Sequence, residues 1–287
     1  MNNKRVLVLS GGGAKIGFQV GVTANLLNNF DAVVGVSCGA IWGAMIAQNK
    51  TEKAVEVILH LSNKDIFTGD FSAWNIFKRL LTKKTYILDM SPLRLLLEKY
   101  VSKEDFIMPA YFVYIDAVTG DKITACSDDL DTKGIIDAIM ASAAIPVAMR
   151  GVNDRYYDGG LEEVCPLGEA IALGPDMITI INCFNRNTRN TRKKNTLISI
   201  ASWAFTDKMP ETIANNSIEN FLMINKILKA SNQESVIISW KEKQKIIKRF
   251  DCNIFEPMID LGDSMDFGKE LMISRYNAGK NTLFKTE

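Results

Sequence analysis

Twice within the first 48 residues, a short aliphatic run ends at a glycine-bearing turn and hands over to a segment with helical spacing. Arg5–Leu9 stops at Ser10-Gly11-Gly12-Gly13, and the segment from Gly17 to Asn28 places Phe18, Val22 and Leu26 on one helical face. Asp31–Val36 then ends at Ser37, and Cys38–Gln48 is helical in pattern. Strand–turn–helix repeated this closely is the mark of a parallel α/β sheet covered by helices. The expected fold class is therefore α/β: a central, mostly parallel sheet flanked by helices in three layers.

The rest of the chain continues the mixture. Lys53–Leu61 is amphipathic, and residues 62–90 are irregular and rich in aromatics. Ser91-Pro92 opens a helix through Tyr100, with Pro in the first turn. Tyr111–Val118 and Lys122–Ala125 flank Thr119-Gly120-Asp121 and read as a hairpin. Gly134–Ala144 is helical, Val147–Tyr157 holds two short extended pieces, and Met177–Phe184 is a strand. Leu197–Trp203, Ile213–Lys229 and Phe267–Lys280 are helical, with a strand at Val236–Trp240. The 287 residues are read as a single domain, 1–287, with a helical cap around 62–105 and a largely helical C-terminal part, 196–287.

Composition narrows the function classes. With 34 basic and 33 acidic side chains, the net charge of +1 supplies no global field for nucleic acid, and no nucleic-acid partner is expected. The five cysteines form no Cys-x-x-Cys pair, so neither a zinc site nor a disulfide framework is indicated. No apolar run approaches the ~18 residues of a membrane span, and the Val6–Leu9 run is too short for a signal core. A cytoplasmic protein, peripheral at a membrane at most, is the expectation. There is a single histidine, His60, on an amphipathic segment.

Three constellations carry chemistry. Gly35-Val36-Ser37-Cys38-Gly39 is a Gly-x-Ser-x-Gly between a strand and a helix, the context that makes the pattern a nucleophile elbow. Ser10-Gly11-Gly12-Gly13-Ala14-Lys15 can turn backbone N–H groups toward an anion, either the oxyanion of acyl transfer or a phosphate. It is not a Walker loop, since no Gly-Lys-Ser/Thr ends it, and Ile16 stands where the dinucleotide fingerprint needs Gly. Tyr156-Tyr157-Asp158-Gly159-Gly160 holds a carboxylate at a turn. A serine nucleophile needs a base, and with His60 a poor candidate, Asp158 is the natural partner of Ser37. Cys38 sits where a thiol pKa falls, but the apex of an elbow is residue 37.

These elements, in this order, resemble the patatin-like phospholipase family. Ala141-Ser-Ala-Ala-Ile-Pro146 and Leu261-Gly-Asp-Ser-Met-Asp-Phe267 add to the likeness. Ile16 departs from the family's usual Gly after the basic residue, and Gly17 is the candidate to take that place by a one-residue shift. The resemblance implies a calcium-independent lipid acyl hydrolase with a Ser37–Asp158 dyad, an oxyanion hole from Gly11, Gly12, Gly13 and Ala14, and an acyl-enzyme on Ser37. Lys15, Gly35, Cys38, Gly39, Gly159 and Gly160 would support the site, Lys15 by orienting the loop or meeting a lipid phosphate. No cofactor or metal is implied. The substrate would be a phospholipid or another fatty-acyl ester. Phe67, Phe71, Trp74, Ile76, Phe77, Leu80 and Leu81, with Lys78, Arg79, Lys83 and Lys84, suit either a surface helix on anionic lipid or a lid. The basic stretch Arg186–Lys194 reads as a solvated loop. Two alternatives stay open: a nucleotide-binding α/β protein using the Gly11–Gly13 loop, and a catalytically silent binding module.

Overall fold

The computed structural model describes residues 3–26, 29–82, 84–186, 196–240 and 243–286. Strand β1 (Arg5–Leu9) leads into helix α1 (Ile16–Thr23), and β2 (Ala32–Val36) into α2 (Cys38–Ala47). Four helices follow: α3 (Thr51–Leu59), α4 (Asn63–Ile66), α5 (Ala73–Leu81) and α6 (Ser91–Tyr100). Then come β3 (Ala110–Asp116), β4 (Lys122–Cys126), α7 (Thr132–Ser142), β5 (Tyr156–Asp158), α8 (Leu167–Ala172) and β6 (Met177–Ile181). The C-terminal part comprises α9 (Leu197–Trp203), α10 (Met209–Ala230), β7 (Ser235–Trp240), β8 (Lys243–Lys248), β9 (Asp251–Phe255), α11 (Lys269–Lys280) and β10 (Lys285–Thr286).

The main sheet has the order β10-β9-β6-β1-β2-β3-β4, with β5 added antiparallel to β3. Its centre, β9-β6-β1-β2-β3, is parallel; Val6 faces Ala32 and Leu9 faces Gly35. Parallel strands are buried on both faces, which explains runs with no polar alternation. Leu7, Leu9 and Val33 point to one layer, with α1, α2, α3, α6 and α7. Val6, Val8 and Val34 point to the other, with α8 and α10. The expected three-layer fold is present.

One expectation is corrected. The C-terminal part is mixed rather than helical: β9 enters the main sheet beside β6, and β10 pairs with β9. Asp251-Cys-Asn-Ile-Phe255 has too few β-branched residues to announce a strand alone; its parallel pairing with β6 makes it one. The region 62–105 carries α4, α5 and α6 joined by irregular segments, with an isolated antiparallel bridge between Thr68 and Asp89. Residues 187–195, and with them most of the basic stretch, lie outside the described residues, as does Lys83. No helix among the described residues is long and apolar enough to cross a membrane.

Helix α11 lies along α1, with Gly21 and Gly279 at the closest approach. Its buried Arg275 donates to four backbone carbonyls: Leu261 (2.7 Å), Asp263 (2.7 Å), Asp266 (2.8 Å) and, across the molecule, Ala14 (2.9 Å). One guanidinium thus fastens the segment 261–266 to the glycine loop after β1.

Candidate active site

Ser37 occupies the tight turn between β2 and α2, at φ 55° and ψ −126°. A non-glycine residue holds such a backbone only where its surroundings dictate it, and such positions cluster at functional sites. The surroundings are specific. The Ser37 N–H donates to the Ser142 hydroxyl (2.9 Å), which donates in turn to the Val113 carbonyl (2.7 Å). Gly35 is required by contact: a Cβ there would lie 2.3 Å from the Gly39 carbonyl oxygen, across the turn. Helix α2 then starts at Cys38, so its N-terminal dipole points into the site.

Asp158 ends β5, opposite Tyr114 of β3. Its Oδ1 accepts the Gly160 N–H (2.7 Å), while Gly159 sits flush against the Val113 carbonyl. Asp158 is buried, at 6% exposure. Burial pushes its pKa up from the usual 3.8 to about 6, against the opposing pull of the Gly160 N–H and the Ser37 side chain. The elbow and the carboxylate, 121 positions apart in sequence, thus meet at one place, and Ser37 and Asp158 line the same groove.

The glycine loop lies on the third side. The four expected amides narrow to two. The Gly11 N–H is taken by the Val164 carbonyl and the Ala14 N–H by the Ser264 carbonyl, both at 2.7 Å. The N–H groups of Gly12, Gly13 and Cys38 meet no acceptor among the described residues. Gly13 needs to be glycine: its φ is +55°, and a Cβ would sit 2.2 Å from the Ser264 oxygen.

Lys15 does not reach toward substrate. It is 3% exposed, its Nζ pairs with Asp207 Oδ1 (2.8 Å), and it lies over the Phe184 ring. The same Asp207 oxygen accepts the Ser264 hydroxyl (2.9 Å). Asp207 belongs to a π-helical turn, Ala204–Lys208, between α9 and α10. Ser142, Asp207, Ser264 and Arg275 were not singled out by sequence reasoning. Only Ser142 and Ser264 carried a signal, since both lie in stretches that contributed to the family likeness. Gly17 does not take the place vacated by Ile16; it is the close contact of α1 with Met272 and Arg275 of α11. The Cys38 thiol is pushed well up by burial, with the Cys183 side chain adding to the rise, so it stays protonated. His60 caps the end of α3, exposed, with Nδ1 2.8 Å from the Glu56 carbonyl, and does not line the cavities at Ser37.

Two cavities open at Ser37. The larger, about 900 Å³ with its open mouth included, runs between α2, α3 and α6 and is walled by Met45, Ile58, Leu93, Leu97 and Phe267. The second, about 630 Å³, lies on the Asp158 side. They share Gly13, Ser37, Ile145 and Ser264. The aromatic segment divides: Phe67 and Tyr86 are buried, whereas Trp74, Phe77 and Leu81 of α5 project outward.

An elbow serine, a buried carboxylate beside it and free amides opposite form the kind of arrangement that serine-type hydrolases use. The patatin-like phospholipase family model matches residues 7–171, more than half of the chain, and the protein belongs to that family. A cGAMP-activated phospholipase of Escherichia coli (strain TW11681) is 26% identical over 210 residues, 63% of this chain and 56% of the relative. The chain thus matches little more than half the length of that relative. VipD from Legionella pneumophila aligns over 100% of this chain and 68% of its own, at 12% identity and a TM-score of 0.42.

Proposed function

We propose that the protein is a lipid acyl hydrolase working through a Ser37–Asp158 dyad. The observation that carries this is Asp158: a buried carboxylate beside the strained serine, with its pKa raised by burial to about 6. Such a group is ionised at neutral pH and still basic enough to take a proton. Asp158 accepts the Ser37 hydroxyl proton as Oγ attacks the ester carbonyl. The N–H groups of Gly12 and Gly13, with that of Cys38, receive the oxyanion. Collapse breaks the C–O bond, and the departing alkoxide takes the proton from Asp158. Water then gives a proton to Asp158 and attacks the acyl-serine, releasing fatty acid and restoring both groups.

The large apolar cavity at Ser37 fits the acyl chain of the substrate, a phospholipid or related fatty-acyl ester. Trp74, Phe77 and Leu81, with Lys78 and Arg79 on the same helix, suit transient contact with an anionic membrane. The nucleotide reading is weakened by Lys15, whose ammonium is committed to Asp207 instead of a ligand phosphate.

The test is fatty-acid release from mixed phospholipids by wild type and Ser37→Ala, with and without cGAMP because the E. coli relative is cGAMP-activated. Release by wild type alone, and fluorophosphonate labelling that vanishes in Ser37→Ala, is expected. Equal release by both overturns the proposal. Folded protein that resists the probe would favour a silent binding module.

A further inference from the structure

We infer that the groove on the Asp158 side of Ser37 holds the second acyl chain of a two-chain glycerolipid, so that diacyl lipids are cleaved in preference to their lyso counterparts. The inference rests on the hydrolase reading above and specifies its substrate.

The two cavities meet at Gly13, Ser37, Ile145 and Ser264, so a carbonyl held at the glycine amides has apolar space on both sides. The chain being cleaved occupies the larger one. The alcohol must leave on the other side, because Asp158 lies there and returns the proton to it. What lines that side is Leu161, Val164, Phe205, Met209, Pro210 and Ile213. Asp158 is the only ionisable side chain in it, and no Lys or Arg lines either cavity among the described residues.

A lyso lipid leaves as a glycerol phosphodiester. Seating that group in this groove would bring a phosphate among apolar side chains, near a carboxylate and without a cation, which is strongly unfavourable. A diacyl lipid instead leaves with an acyl chain still attached. The chain can fill the groove while the phosphate stays in water.

The rim points the same way. Phe205 is 63% exposed, Leu161 52% and Met209 47%, an apolar edge that an acyl chain would cover. Phe205 owes its position to the π-helical turn, which buries Thr206 and Asp207 and turns Phe205 outward. Such turns are rare and recur at functional sites. This one is fixed to the glycine loop by the Lys15–Asp207 pair, so the groove wall and the amide donors form one connected unit.

The experiment compares dioleoyl phosphatidylcholine with oleoyl lysophosphatidylcholine in mixed micelles of fixed composition, using the full chain. In wild type, kcat/KM for the diacyl lipid should exceed that for the lyso lipid by about tenfold or more, the scale of discrimination by apolar contacts. Phe205→Ser/Met209→Ser should lower that ratio about fivefold or more, and Leu161→Ser, also in the groove, should lower it in the same direction. Leu97→Trp, in the larger cavity, should depress both substrates together. Binding of a fluorescent diacyl lipid to Ser37→Ala reads the groove without chemistry, and should weaken when Phe205→Ser is added. A wild type that prefers the lyso lipid, or a ratio unmoved by the groove variants, overturns the inference. Ester cleavage that fails altogether would overturn the hydrolase reading, while lipid binding by Ser37→Ala still judges the groove.

Discussion

The region from β1 to α8 and the region from α9 to α11 contribute in different ways. The first supplies every group of the proposed chemistry: Ser37, Asp158 and the amides of Gly12, Gly13 and Cys38. The second supplies none of these, yet it holds them. Asp207 anchors Lys15, the Ser264 carbonyl takes the Ala14 N–H, and Arg275 grips the Ala14 carbonyl. The lesson is that a short motif can specify a reaction while its geometry is set by residues far along the chain. Changes at Ser37 and Asp158 should remove activity and leave the chain folded; changes to the contacts between the two regions should loosen the fold and reach activity only through the glycine loop.

The largest effect separates them cleanly. Ser37→Ala or Asp158→Asn should cost about 10⁴–10⁶ in kcat, the scale seen when a member of a nucleophile–base pair is removed. Circular dichroism should show both variants folded. Lys15→Met attacks the other region's grip, because it leaves Asp207 buried without its cation. A loss of about 3–5 kcal/mol in urea unfolding is expected. Adding Asp207→Leu should recover a large part of it; two losses that simply add would break the claim that these residues act as a pair.

The third effect is pH-dependent. The folded state raises the Asp158 pKa from 3.8 to about 6, so ionising it weakens the fold. The stabilisation is fully present below pH 3.8 and is lost as pH rises through about 6. Asp158→Asn should therefore be more stable than wild type by up to about 3 kcal/mol above pH 7, and by nothing at pH 3.5. Activity of wild type should fall on the acid side with a midpoint near 6. The contrast with Asp116, on the same β3–β5 ladder, is direct: the Arg155 guanidinium holds that carboxylate down to about 2. Its charge should persist where Asp158 has lost its own.

The smallest effect is strain. Ser37→Gly should stabilise by about 1 kcal/mol while abolishing turnover, because glycine accepts φ 55° freely. A destabilised Ser37→Gly would mean that the elbow stores nothing.

How much of this the chain announces follows the same division. The first two strand–turn–helix units, Ser37 and Asp158 are legible because turn chemistry is local: glycine spacing and a serine between strand and helix leave few alternatives. Asp207 and Arg275 are not, because in sequence they look like ordinary surface charges and only tertiary packing buries them. The narrowing of the amide donors was equally hidden, since the partners of Gly11 and Ala14, at Val164 and Ser264, come from distant segments. Gly17 misled for a related reason: a glycine beside a loop can serve the loop or a neighbouring helix, and α11 lies too far along the chain to be suspected.

The Arg275 link to Ala14 spans 261 residues. At roughly 5–20 residues per second, a ribosome takes about 13–50 s to cover that distance. Throughout that interval the nascent chain carries Ser37 without the Arg275 brace on the glycine loop. A product truncated before α11 should therefore neither take a fluorophosphonate label at Ser37 nor release fatty acid.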